Sequence, residues 1–166
     1  MKRTKKVYPV KDLPNIKEQI LHWINQFSVC SFLDNHQYHS AHHSVECIAA
    51  AGEIEIIQGA NTAQQIDAFY TTHQDWLFGH FSYEYNAKHL NKIQKKNPIN
   101  FSDAFFFRPD HILTLKQEWL IIESHSLLPD NIFEEILATK SVIKQIDPIS
   151  ITADMSKERY IATIQQ

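Results

Sequence analysis

Three runs rich in aromatic and β-branched residues constrain this chain most: WLFGHFSYEY from Trp76, FSDAFFFRP from Phe101 and HILTLKQEWLIIESH from His111. Side chains of these kinds fit a pleated, half-buried surface, so all three read as strands, the third turning back as a hairpin near Lys116-Gln117. Upstream, SVCSFL and VECIAAAGEIEII are shorter β-like runs, and a hairpin is expected around Ala51-Gly52. In the first run, period two puts Trp76, Phe78, His80, Ser82 and Glu84 on one side and Leu77, Gly79, Phe81, Tyr83 and Tyr85 on the other. Gly79, one of only 3 glycines in the chain, leaves a gap on the more apolar side, which reads as a packing gap filled by a helix or, alternatively, as a close approach by a neighbouring backbone, side chain or ligand.

Helical patterns flank this centre. PNIKEQILHWINQF places Ile16, Ile20, Trp23, Ile24 and Phe27 on one stripe, with Pro14 in a first turn. Asn61 with Gln64 resembles a capping box opening a second helix, with Ala63, Ile66, Phe69 and Tyr70 inward. A third begins at Pro129-Asp130, with Ile132, Phe133, Ile136, Leu137, Val142 and Ile143 on its apolar side. Near the end, Ser156 reads as the N-cap of a short helix bearing Tyr160, Ile161 and Ile164. A helix of about three turns is marginal without packing, so this one is expected to belong to something longer. Strands in the middle and helices around them predict an α+β fold with a largely antiparallel sheet.

At 166 residues one domain with one core is expected. A net charge of -3 and a pI near 6.3 argue against a nucleic-acid partner; Lys2 to Lys6 and Lys92 to Lys96 are short solvated runs. No apolar stretch reaches the ~20 residues of a membrane span, and no signal-peptide core is visible, so a soluble, cytoplasmic protein is expected. Cys30 and Cys47 read as buried free thiols.

Ten histidines raise the question of metal, and His36, His39, His42 and His43 crowd one segment. That segment lacks an HExxH-type pattern and a cysteine at zinc-finger spacing, so it reads as a solvated loop with no metal site. No serine occupies a G-x-S-x-G elbow, and no Gly-rich nucleotide loop occurs. Glu53/Glu55 and Glu134/Glu135 read as solvated faces, and Arg108, ending FFFR, as a structural salt bridge more than a carboxylate clamp.

DWLFGHFSYEYN followed by FSDAFFFRPDHIL resembles the N-terminal region of component I of the chorismate-utilising synthases, aminodeoxychorismate (para-aminobenzoate) synthase or anthranilate synthase. SFLDN falls where that family has a Leu-Leu-Glu-Ser-type segment. EWLIIESH resembles the hairpin strand after its Phe-Phe-x-Pro element, and MSKERYIATIQQ the helix opening its chorismate-binding domain. The resemblance covers nearly the whole chain.

The resemblance implies an N-terminal domain over residues 1–154, part of the family's two-sheet sandwich, and the first turns of a chorismate-binding domain over 155–166. It implies no catalytic residue and no cofactor in this chain. Chorismate and Mg²⁺ are bound, and ammonia added, by the C-terminal domain. The partners implied are that domain and a glutamine amidotransferase subunit supplying ammonia, with self-association of the isolated region expected. It also implies a tryptophan-type pocket at Leu33, Asp34, Asn35 and His42, regulatory in anthranilate synthases. Asn35 stands where the family's serine receives the tryptophan amino group, which tilts the expectation toward aminodeoxychorismate synthase and folate biosynthesis. The alternative of another class is a stand-alone His-rich metal-binding or interaction domain.

Overall fold

In the computed structural model, residues 2–36, 38, 45–59, 61–83, 85, 101–139 and 153–165 are described. Their strands are β1 (Thr4–Pro9), β2 (Cys30–Asp34), β3 (Cys47–Gln58), β4 (Phe78–Phe81), β5 (Ala104–Lys116) and β6 (Trp119–Ser124). These make one antiparallel sheet in the order β1-β6-β5-β3-β2, with β4 also paired to β5. The helices among the described residues are α1 (Leu13–Ile24), α2 (Thr62–His73), α3 (Pro129–Ala138) and α4 (Lys157–Ile164). The fold is α+β, as the strand-rich centre predicts.

β5 organises the sheet. One of its edges pairs with β3 from Phe105 to Leu115; the other pairs with β4 over Ala104–Phe107 and with β6 over His111–Lys116. Arg108, Pro109 and Asp110 therefore lie between the two shorter strands. Pro109 has no N–H to place there, which suits it to a position where the ladder is interrupted. FSDAFFFRP and HILTLK are consequently one 13-residue strand and not two. The predicted turn after Lys116 is present, with Gln117 at φ +53.

α1 and α3 cover one face. Ile16, Ile20, Trp23 and Ile24 from α1 and Ile132 and Ile136 from α3 pack on Ala49, Ala51, Leu113, Leu115, Leu120 and Ile122. The alanines of β3 are small enough for α1 to lie close to the middle of the sheet. Burying an isoleucine fully stabilises by about 1.5–3 kcal/mol, so these side chains outweigh any helix propensity. α1 starts where it does because the Asp12 carboxylate accepts a hydrogen bond from the Asn15 amide at 3.1 Å and Pro14 sits in its first turn. Trp23 Nε1 donates to Glu135 on α3 at 2.8 Å, so Glu135 does more than face solvent.

The opposite face is different. Leu33, Ile48, Thr114, Ile121 and Val7 are successive cross-strand partners in one row across five strands. Leu33 is 58 % exposed, Val7 47 % and Trp119, farther along, 49 %. The buried cluster beside this row, Ala50, Phe78, Phe107 and Ile112, draws on strands alone.

Several expectations are corrected. No hairpin forms at Ala51-Gly52: β3 runs through, because Gly52 at φ +72 and a register shift between Glu53 and Glu55 absorb the irregularity as a β-bulge. β3 pairs instead with β2, Cys30 opposite Ala51. WLFGHFSYEY is strand only over Phe78–Phe81. Asn61 precedes α2 without a side-chain cap bond, and Thr62 instead donates to the Gly59 carbonyl at 2.6 Å. Ala63 and Tyr70 are exposed; α2 buries Phe69 and Thr62. Cys47 is buried but Cys30 is exposed, and both are free thiols. In the last helix Ser156 does cap, its hydroxyl accepting from the Arg159 amide at 3.3 Å, and none of α4 is buried. Val142, Ile143 and Lys92 to Lys96 lie outside the described residues.

Gly79 sits directly opposite Phe106. A Cβ there would collide with the Phe105 carbonyl oxygen and would come within 2.6 Å of Phe106 Cα. The gap is filled by the backbone of β5, not by a helix. Gly79→Ala is expected to destabilise by about 1–3 kcal/mol through overpacking against main chain that cannot yield. An unchanged urea midpoint would show that the strands separate freely there.

Candidate functional site

Leu33, Asp34 and Asn35 lie at the end of β2, the edge strand that follows α1. Successive strand residues alternate faces, so Leu33 joins the open row while Asp34 turns toward α1. There the Lys17 ammonium meets Asp34 Oδ1 at 2.8 Å and also bonds the Glu46 carboxylate. Burial opposes both charges, yet hydrogen bonding between Lys17 and Asp34 outweighs it, holding the Asp34 carboxyl below its ordinary range and raising Lys17. Asn35 accepts the Tyr38 amide on its main-chain carbonyl at 3.0 Å, and its own Nδ2 donates to the Tyr38 carbonyl at 2.8 Å. The structure thus places Leu33 and Asp34 on opposite sides of the sheet. His42 lies outside the described residues, as do His39 and His43 of the histidine segment.

A second constellation occupies the interruption along β5. Asp75, between α2 and β4, takes the Arg108 Nε–H on Oδ2 at 2.8 Å, the Trp76 amide on Oδ1 at 2.8 Å, and the Arg3 guanidinium. Arg3 also donates to the Pro109 carbonyl, and the His125 amide donates to the Asp110 carbonyl at 3.2 Å. The main-chain acceptors that β4 and β6 leave unpaired are therefore satisfied by a side chain from β1's approach and a loop after β6. Burial pushes the Asp75 carboxyl up, but the Trp76 amide and the two arginines reverse this and hold it low. His125, with Nε2 3.5 Å from Asp75 Oδ2, is depressed by burial and then by Arg3.

This cluster forms the floor of a cavity of about 590 Å³ whose rim includes Lys2, Lys5, His73, Trp76 and Glu123. Arg108 is the structural salt-bridge residue that FFFRPD suggests. Arg3, Asp75 and His125 carry no local signal: Asp75 is 33 residues from Arg108 and 72 from Arg3, and only the pairing of distant strands brings them together.

His111, adjacent, is 2 % exposed and edged by the rings of Trp23 and Phe27. The Ser124 hydroxyl accepts from the Leu127 amide at 3.0 Å and shares a hydrogen bond with His111 Nδ1 at 2.9 Å. Burial lowers the His111 pKa, consistent with a neutral core imidazole. Burial likewise pushes the Cys47 thiol up to about 12, so it is not a nucleophile. Among the described residues no three His, Cys, Asp or Glu side chains gather as a metal site, and no helix is long and apolar enough to cross a membrane. Glu53 and Glu55 are exposed, with the bulge between them.

No protein-family model matches the chain, and no curated protein matches it in sequence.

The Lys17 triad makes a pH-dependent prediction. Asp34 has a depressed pKa in the fold, so its contribution is present above the unfolded value of about 3.9 and is lost as pH falls through the folded value. Lys17→Met, which leaves two carboxylates facing each other, is expected to cost about 1–3 kcal/mol at pH 7. The urea midpoints of the two proteins should draw together as pH falls below the unfolded value of about 3.9; a constant difference throughout the acid range would refute the electrostatic origin.

Proposed function

We propose that this chain is the N-terminal scaffold of an aminodeoxychorismate (para-aminobenzoate) synthase component I, in which a catalytic domain outside these residues aminates chorismate for folate biosynthesis. The reading rests on the order of the motifs, and one structural observation supports it. The sheet is covered on one face by α1 and α3, while the other face carries the Val7–Ile121–Thr114–Ile48–Leu33 row partly exposed. A sheet normally buries its apolar face, and a second layer laid on this row would make the two-sheet sandwich of that family. Tyr160, Ile161 and Ile164 of α4, at least 43 % exposed, fit a helix whose packing partner lies in the same absent layer.

Within the family, tryptophan regulation is the weaker reading. Leu33 and Asp34 diverge, Asp34 is held by Lys17, and the Asn35 amide is engaged with Tyr38. Among the described residues no carboxylates gather as a site for Mg²⁺, and no step of the amination is assigned to them. Its role is to hold the sheet against which the catalytic domain packs, with ammonia drawn from a separate glutamine amidotransferase.

The complete polypeptide, given chorismate, Mg²⁺ and ammonia, is expected to form aminodeoxychorismate. Formation of anthranilate, or no consumption of chorismate, would overturn the assignment. The 166-residue chain alone should be inactive and should self-associate with rising concentration, less so after Trp119→Lys. Light scattering from a strictly monomeric species at high concentration would count against a covered face.

A further inference from the structure

We propose that the cavity over the β5 interruption is a binding site for a small phosphate- or carboxylate-bearing molecule. Three observations converge on it. The first is charge: Lys2, Arg3, Lys5 and Arg108 face Asp75 and Glu123, four cations against two carboxylates. Lys5 and Glu123 neutralise each other at 2.6 Å, which leaves Asp75 to balance both arginines. One guanidinium charge stays uncompensated in a place where Arg3 is 7 % and Arg108 13 % exposed, and Lys2 adds to it from the rim. A charge held away from water is costly unless paired.

The second observation is unfilled hydrogen-bonding capacity. Arg3 Nε is buried without a hydrogen-bond partner, and His125 Nε2, on a side chain 9 % exposed, meets the Asp75 carboxylate only at 3.5 Å, too long for a full hydrogen bond. Buried polar atoms of native proteins are overwhelmingly satisfied, so the Arg3 orphan and the weakly held His125 nitrogen on this cavity wall leave room for a further acceptor. An oxyanion supplies it and removes the excess charge at once; a neutral ligand does only the former, and a cation neither. The third is size: about 590 Å³ lies within the range of small-molecule sites and exceeds what a bare ion fills. The C-terminal turn of α2 at His73-Gln74 and the Glu123 carboxylate are the negative features of the wall, so the anion is expected on the Arg3, His125 and Lys2 side. Binding here stands apart from the assignment to a synthase, because it uses neither the open sheet face nor the residues around Asn35.

The test is a titration of the purified chain with inorganic phosphate in one arm and succinate in the other. Ionic strength is held constant with sodium chloride, and thermal stability and the His125 ring signals are followed by NMR, with assignment from His125→Gln. Either anion should raise the melting temperature saturably and move the His125 resonances, and the arm saturating at lower concentration identifies the favoured headgroup. Lys2→Glu, a change at an exposed position that leaves the buried cluster intact, should weaken binding by about fivefold. The proposal fails if neither anion acts beyond chloride, if binding leaves the His125 signals in place, or if Lys2→Glu binds as tightly as the parent.

Discussion

The structure depends on how the two edges of β5 are satisfied. A strand of 13 residues needs partners for its main-chain groups, and β3 supplies one edge from Phe105 to Leu115, interrupted by its bulge opposite Arg108 and Pro109. Neither β4 nor β6 is long enough for the other edge, so the two share it and leave Arg108 to Asp110 between them. Pro109 reduces the demand by lacking an N–H, and the Arg3 guanidinium and the His125 amide take the carbonyls that remain. Every element that meets there is tied by Asp75: the residues before β1, the α2–β4 connection, β5 itself and the segment after β6. The same arrangement that closes the sheet concentrates positive charge, and structure and candidate binding site are therefore one feature.

The two faces of the sheet divide the molecule's roles. On the covered face, Tyr8 stacks on Phe133 at 4.1 Å and donates to Asp130 at 2.8 Å, Trp23 reaches Glu135, and the isoleucines of α1 and α3 close over the alanines of β3. That side is a finished core. On the open face, apolar side chains continue to the sheet edges without a described helix above them. In the proposed scaffold reading this is the face that a second layer would cover.

The sheet and the candidate site differ in how far they were legible. α1 is readable because its apolar stripe and Pro14 are local signals within a few residues of one another, whereas the Asp12 cap emerged only in the structure. The β5–β6 hairpin is readable for the same reason. The expected break at Ala51-Gly52 is absent because a glycine at positive φ serves a bulge as well as a turn, and the choice between them is made by β5 lying alongside. Tyr70 and Ala63 are exposed although they fall on a helical stripe, since α2 packs on one end of β3 and, among the described residues, buries a single aromatic ring, Phe69.

By itself the sequence determined the class of the fold, the helix with Pro14 in its first turn, the gap at Gly79 and the structural character of Arg108. All of these follow from side-chain type and short-range period, which act between neighbours. Only the tertiary structure decided what fills the space beside Gly79, which face each residue of Leu33-Asp34 serves, and that Arg3, Asp75, Arg108 and His125 meet. Those outcomes come from the register of strands far apart in the chain, and a pairing shifted by one residue would send every one of those side chains to the other face.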